Sequence, residues 1–343
     1  MTFKRILGLV LAGGKGTRLR PLTDRHAKPA LPFAGGLRIV DFVLSNLYNS
    51  KIGHVYVLAQ YKPHSLIEHL NQAWGLSSLH GDRFLEVLLP RQDGQEEGFR
   101  GTADAVYQNI SVIDRHRPDL VAVFAADHVY RMDIRQMAEF HESHGADVSV
   151  SAVPVPVERA SSFGIICADA EGRVDEFHEK PERPKTILFK PGQAYASMGN
   201  YLFKPDVLVD ALRRANKQGE HDFGRHVLPR LTRSHRIYAY NFATNNVPGA
   251  RSHEEPAYWR DVGTVEAYRA AQRDVVGRAP RFQLWNPEWP IRRMPADRTE
   301  LGPREPGEGL PLRLPPVRVT GRPIVTEPEA AGQERSSLSR EQR

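Results

Sequence analysis

The chain has 343 residues, 40% of them hydrophobic and 26% charged, with a formal charge of +6 at pH 7. That length supports one large domain or two medium ones with a substantial core, and no apolar run approaches the roughly 18–20 residues that cross a bilayer. The single cysteine, Cys167, excludes an intrachain disulfide and a cysteine-based metal cluster. The positive charge forms no block and is interspersed with acidic residues, so small anionic substrates account for it better than a nucleic-acid groove.

The opening MTFKRILGLVLAGG starts like a signal peptide but lacks a small-residue cleavage site and runs straight into a glycine turn. It reads as the first strand, GLVLA, of a cytoplasmic protein. IVDFVLSNLYNS then reads as a helix, HVYVLAQ as a strand, and SLIEHLNQAW as a helix with Leu66, Ile67, Leu70 and Trp74 on one face. GTADAVYQNISVI reads as one continuous helix capped by Thr102, and LVAVFAAD as a continuous apolar strand. DIRQMAEFH follows with a capping-box pattern at Asp133 and Gln136, then VSVSAVPV. Strands that do not alternate, set between amphipathic helices, imply a mostly parallel sheet covered on both faces.

Residues 151–277 are mixed, with strands expected at 163–168, 173–178, 195–203 and 236–242 and helices near 205–217 and 264–277. The apolar setting FGIICAD predicts a packed Cys167 thiol. Residues 298–343 hold seven Pro and five Gly with no aromatic residue, a composition that predicts a disordered tail.

The chemistry begins at GLVLAGGKGTRLRPLT, residues 8–23. A P-loop is excluded because Gly16, not Ser or Thr, follows Lys15, and the dinucleotide fingerprint because Leu19 occupies its third glycine position. A glycine turn behind a buried strand still suits phosphate: Gly13, Gly14 and Gly16 allow positive φ and close approach of backbone N–H groups. Arg18 adds a planar fork, and Lys15 and Lys28 add point charges. Asp127 ends the strand LVAVFAA, and ligands of open α/β sheets gather beyond the carboxyl ends of strands. Asp261 supplies a second carboxylate; Asp127 is also placed to cap the DHVY turn, and Asp261 the following helix.

LAGGKGTRLRPLT followed by AKPALPF resembles the signature of the sugar-nucleotide pyrophosphorylases. GGLRIVDFVLSN, FRGTADAVYQN, AADHVY, EFHEKP, SMGNYLF, HDFG and YWRDVGT extend the resemblance, specifically to the bacterial glucose-1-phosphate adenylyltransferase (ADP-glucose pyrophosphorylase) family, over residues 5–293. It implies a Rossmann-like mixed, mostly parallel sheet flanked by helices, of the nucleotide-diphospho-sugar transferase type, with residues 1–293 as catalytic domain. It also implies formation of ADP-glucose and pyrophosphate from ATP and glucose 1-phosphate, with Mg²⁺ as cofactor. By the same resemblance Arg18, Asp127, Lys180 and Asp261 are catalytic, and Asp127 and Asp261 hold the metal. Leu11, Ala12, Gly13, Gly14, Gly16, Thr17, Arg18, Lys28, Gly101 and Asp127 would bind the nucleotide. Phe99, Gly164, Glu179, Lys180, Ser197, Tyr201, Asp222 and Trp259 would bind the sugar phosphate. Tyr201 and Trp259 are equally readable as core aromatics, and Pro181 favours an extended Lys180.

The match has departures. Phe99 stands where the family usually has Tyr, and Asn200 where an apolar residue is usual. The family is homotetrameric and continues beyond WPIRR (289–293) into a β-helix of hexapeptide repeats; here the Pro-rich tail follows instead. Assembly is therefore not carried over. Arg25 and Arg38 match positions near an effector site and read equally as surface arginines. Two alternatives use the same residues: a UDP- or dTDP-glucose pyrophosphorylase, and a non-catalytic or truncated regulatory subunit.

Overall fold

A computed structural model describes residues 4–74, 83–91, 98–187, 190–292 and the backbone of 318–320. In chain order the first half comprises β1 (Ile6–Ala12), β2 (Pro32–Phe33), β3 (Leu37–Arg38), α1 (Val40–Asn49), β4 (His54–Ala59), α2 (Pro63–Trp74), β5 (Phe84–Leu88), α3 (Thr102–Tyr107), α4 (Ile110–His116), β6 (Leu120–Ala125), β7 (His128–Tyr130) and α5 (Ile134–Ser143). The second half adds β8 (Val148–Pro156), α6 (Val157–Ala160), β9 (Gly164–Ala168), β10 (Val174–Glu179), β11 (Gln193–Phe203), α7 (Pro205–Lys217), α8 (Leu228–Leu231), β12 (Ile237–Asn241), β13 (Trp259–Asp261), α9 (Val265–Asp274) and β14 (Arg318–Thr320).

Ten of these strands form one sheet, ordered β10-β9-β11-β6-β1-β4-β5-β14, with β8 on β11 and β12 on β8. Its centre is parallel: β1 pairs with β4 and β6, and β4 with β5. The β9–β10, β9–β11, β6–β11 and β8–β11 pairings are antiparallel, so the sheet is mixed, with a parallel half around β1 and a largely antiparallel half around β11.

Period-2 alternation explains why the central strands read as unbroken apolar runs. Leu7 and Leu9 of β1, Tyr56 and Leu58 of β4, and Val121 and Val123 of β6 pack on one face with Val106, Ile113 and Leu208. Val10, Val55, Val57, Ala122 and Phe124 pack on the other face with Val43, Leu47, Leu66 and Leu70. A third cluster, including Leu19, Leu31, Phe33, Phe42, Val129, Val262 and Phe282, anchors the loop after β1 and the β13 segment over one end of the sheet.

Several local expectations change. The predicted helix over 101–113 breaks at Gln108–Asn109 into α3 and α4. Gly101, not Thr102, is the N-cap of α3; the Thr102 hydroxyl instead donates to Asp222 Oδ2 (3.1 Å) and accepts from Phe223 N (3.0 Å). Half of the predicted capping box forms. Asp133 accepts from Arg135 N, while the Gln136 side chain turns away to the backbone of Asn246. Thr264, rather than Asp261, caps α9. Cys167 is half-buried rather than packed in the core. The expected disordered tail lies outside the described residues except at Arg318–Thr320, which instead pairs in parallel with Glu86–Leu88 of β5.

One buried group ties fold stability to pH. The His141 ring on α5 meets Ser149 Oγ of β8 at 2.9 Å, and its Nε2 is buried without a partner among the described residues. Burial, reinforced by the positive charge of Lys204, pulls its pKa down to about 4 from 6.5. The folded state therefore binds fewer protons than the unfolded state between those values, and stability falls as pH drops from 6.5 to 4. The loss is about 3 kcal/mol at 1.36 kcal/mol per unit. Urea unfolding between pH 7 and pH 4 should show it, and His141→Gln should flatten that part of the profile.

Candidate active site

A cleft of about 490 Å³ opens at the carboxyl ends of β1 and β6 and runs to the end of β10 and the middle of β11. One wall carries Leu11, Ala12, Gly13, Gly14, Arg18, Lys28 and Gly101. The opposite wall carries Phe99, Gly164, Glu179, Lys180, Ser197, Tyr201, Asp222 and Trp259, with Asp127 and Asp261 between. Gly16, Thr17, Arg25 and Arg38 do not line it.

The glycine turn works differently from the sequence expectation. Only Gly16 of its three glycines takes a positive φ, +64°, where a Cβ would also lie 2.9 Å from Thr23 Cγ2. Its carbonyl accepts the Thr23 hydroxyl at 2.8 Å, so Gly16 shapes the turn instead of facing the cleft. Gly14 does face it: a Cβ there would meet nothing within 4 Å, leaving backbone open to a ligand. Gly101 is required for another reason, since its Cβ would stand 2.4 Å from the His221 carbonyl oxygen. That close approach lets His221 O accept from Ala103 N and Asp104 N, docking the HDFG segment onto α3.

The charged centre joins three distant segments. Lys28 Nζ lies 2.7 Å from Asp127 Oδ2 and 3.5 Å from Asp261 Oδ1. Asp127 is carried there by β6, and Asp261 by the antiparallel β7–β13 pair, in which it sits opposite His128. His128 Nε2 is 3.3 Å from Asp127 Oδ1, and its ring leans on Trp259 with centroids 5.0 Å apart. Burial opposes the charge on both Lys28 and Asp127, but attraction outweighs it. Asp127 and Asp261 hold the ammonium above its ordinary value, and Lys28 and His128 hold the Asp127 carboxyl well below the usual range. The guanidinium of Arg18 reaches the same corner, 3.3 Å from where a Gly263 Cβ would stand.

One oxygen each from Asp127 and Asp261 and a His128 nitrogen lie within 4.8 Å of one another. Two carboxylates converging on a point that already attracts an ammonium suit a hard divalent cation, so the residues fit a metal bound with phosphate oxygens.

On the other wall, Lys180 is not extended. It takes φ +48°, in the left-handed region, with its N–H donating to Phe163 O at 3.0 Å and its Nζ 3.2 Å from Glu179 Oε1. Proline at 181 disfavours the right-handed helical region, and closure of the β9–β10 ends turns the residue to the left-handed side. The Glu179 carboxylate nests between Gly164 and Gly224; a Cβ at Gly224 would meet Glu179 Oε2 at 2.5 Å. Ser197 and Gly199 sit at the β11 bulge between the Ser197 and Tyr201 pairings. Tyr201 and Trp259 prove to be both core and wall, and the buried Trp259 Nε1 has no acceptor among the described residues. Asp222 caps the turn at Phe223–Val227 by accepting from Arg225 N, and also accepts from Thr102. Asn200 has a structural explanation: buried, it accepts from Ala125 N at the end of β6 and donates to Tyr130 Oη.

His128, Gln60, Tyr61, Thr102, Phe163 and Gly224 also line the cleft, beyond the residues expected from the sequence. Proximity to Asp127 in DHVY was the available signal for His128; Gln60 and Tyr61 follow β4, whose carboxyl end also opens here. Arg25 is exposed, and Arg38 is held to the Ala30 carbonyl at 3.0 Å.

The Nucleotidyl transferase family profile matches residues 7–277. The chain is 53% identical over 288 residues to the glucose-1-phosphate adenylyltransferase of Thermodesulfovibrio yellowstonii, covering 84% of this chain and 70% of that protein. It is 47% identical over 295 residues to that of Thermus thermophilus, with the same coverage. It is 40% identical over 317 residues to glucose-1-phosphate adenylyltransferase 1 of Vibrio cholerae, covering 92% and 76%. The fold, the motif-bearing cleft and these similarities together place the chain in the nucleotidyl transferase family, on the branch that carries the glucose-1-phosphate adenylyltransferases.

Proposed function

We propose that the chain forms ADP-glucose and pyrophosphate from ATP and α-D-glucose 1-phosphate. The observation that carries this reading is the convergence of Lys28, Asp127 and Asp261 beside the glycine turn, across one cleft from Glu179 and Lys180. A phosphate oxygen of the sugar attacks the α-phosphorus of ATP, the new P–O bond forming as the bond to the β-phosphate oxygen breaks. The nucleophile is already anionic, so no base is needed, and catalysis rests on positioning and charge neutralisation. Backbone N–H groups at Gly13 and Gly14, with Arg18, hold the leaving pyrophosphate. Lys180 holds the sugar phosphate, and Glu179, Ser197 and Asp222 face the sugar hydroxyls. Asp127 and Asp261 would hold a divalent metal, Mg²⁺ in this reading, whose chemistry is to neutralise the nucleotide phosphates.

Residues 1–293 form the catalytic unit in this reading. No helix among the described residues is long and apolar enough to cross a membrane. We place the enzyme in the cytoplasm, where both substrates are available.

Pyrophosphate release with glucose 1-phosphate, Mg²⁺ and each nucleoside triphosphate in turn tests the proposal. Release with ATP alone supports it; release with UTP or dTTP instead identifies a different sugar nucleotide, and release with none favours the non-catalytic subunit. Lys180→Ala should raise KM for glucose 1-phosphate roughly 10–100-fold, the loss of one charged hydrogen bond, with kcat changed much less. Initial rates across both substrates measure that split.

A further inference from the structure

On the β9–β10 hairpin, Cys167 stands directly opposite Glu176, and His178 lies two residues farther along β10 on the same face. The thiol sulfur, one Glu176 oxygen and a His178 ring nitrogen all lie within 4.8 Å of one another. His178 Nε2 is 2.7 Å from Glu176 Oε2, and the Lys185 ammonium caps the same carboxylate. All three side chains are partly exposed, so the cluster is reachable from solvent. Strand alternation turns it away from Glu179, the neighbouring residue that faces the substrate cleft.

We propose that Cys167, Glu176 and His178 form a second cation site, distinct from Asp127 and Asp261, that takes a thiophilic divalent ion, with Zn²⁺ the best match. Thiolate, imidazole and carboxylate are the three donor types of zinc sites, whereas Mg²⁺ avoids sulfur and nitrogen. Tetrahedral bonds of about 2.0–2.3 Å fit donors at this spacing with a small opening of the His178–Glu176 contact. A thiolate and a carboxylate together balance the ion's charge. Three protein ligands leave the fourth position to water. Binding forms the metal–sulfur bond, releases the thiol proton to solvent, and displaces the Lys185 ammonium from Glu176. The site rests on hairpin geometry alone and stands whichever reaction the cleft performs.

Because Cys167 is the chain's only cysteine, any thiolate-to-metal charge-transfer band reports on this site. Titrating the full chain with Co²⁺ should give one equivalent bearing that band, and Zn²⁺ should abolish it by displacement. Cys167→Ser should remove the band, and His178→Ala and Glu176→Gln should each weaken binding roughly 10–100-fold. Asp127→Asn should leave the band unchanged. No band at millimolar Co²⁺ would overturn the proposal. So would a band whose affinity is the same in wild type, His178→Ala and Glu176→Gln, since the thiol would then be acting alone.

Discussion

Asp127→Asn is expected to lower turnover roughly 10²–10³-fold, the usual scale for removing one preorganised electrostatic contact from an active site. The substitution keeps the shape but removes the charge that pairs with Lys28 at 2.7 Å and meets His128. With Asp127 neutral, the cleft keeps one of its two converging carboxylates, and in the proposed reaction a cation on the nucleotide phosphates would lose half of its protein anchorage. The fold should survive, because the Asp127 side chain is 35% exposed to the cleft and Lys28 retains Asp261. Steady-state kinetics should therefore show the loss in kcat, with KM for glucose 1-phosphate nearly unchanged. Near-normal turnover would remove Asp127 from the chemistry. The depressed carboxyl value implies that its stabilising pairing is present above about pH 4 and is lost only as pH falls through the lower folded value. Activity changes near neutrality then belong to other groups.

Lys28→Met has the second large effect, divided between stability and metal response. Methionine replaces the buried stem but leaves Asp127 and Asp261 facing each other without their shared cation. Breaking a fully buried pair costs about 3–5 kcal/mol, but these carboxylates are 35% and 23% exposed, so screening reduces the loss to about 1–3 kcal/mol. A divalent cation can take over the role of the missing ammonium. Added Mg²⁺ should thus raise the melting temperature of the variant more than that of the wild type. Equal Mg²⁺ responses in thermal melts would show that ammonium and metal do not share the site. The raised Lys28 value implies that its stabilising contribution is complete below the ordinary lysine range and fades only as pH rises through the folded value.

The parts of the site legible in the sequence are those whose chemistry is local. Gly13, Gly14 and Arg18 follow a buried strand within a few residues, and Asp127 sits where an apolar run ends. The contact of Lys28 with Asp127 and Asp261 was not legible, because the partners are 99 and 233 residues away and meet only through sheet order. Lys28 and the two aspartates therefore read as separate phosphate and metal groups, whereas one cluster contains all three. Lys180 misled for a related reason: proline argued for extension, and the tertiary bond from its N–H to Phe163 O prevailed. The covered parallel centre of the sheet was legible because apolar runs between amphipathic helices have few alternatives. The strand β5 was missed, its run interrupted by the buried charge of Glu86, and the break between α3 and α4 left no Gly or Pro to mark it.

The central claim is that this cleft joins a nucleotide's α-phosphate to a sugar phosphate around Asp127. ATP labelled with ³²P at either the α or the γ position, incubated with glucose 1-phosphate and Mg²⁺, tests it directly. The account predicts α-label in ADP-glucose and γ-label in pyrophosphate, both nearly abolished in Asp127→Asn. Label released as inorganic phosphate, or α-label transferred equally well by Asp127→Asn, would contradict it.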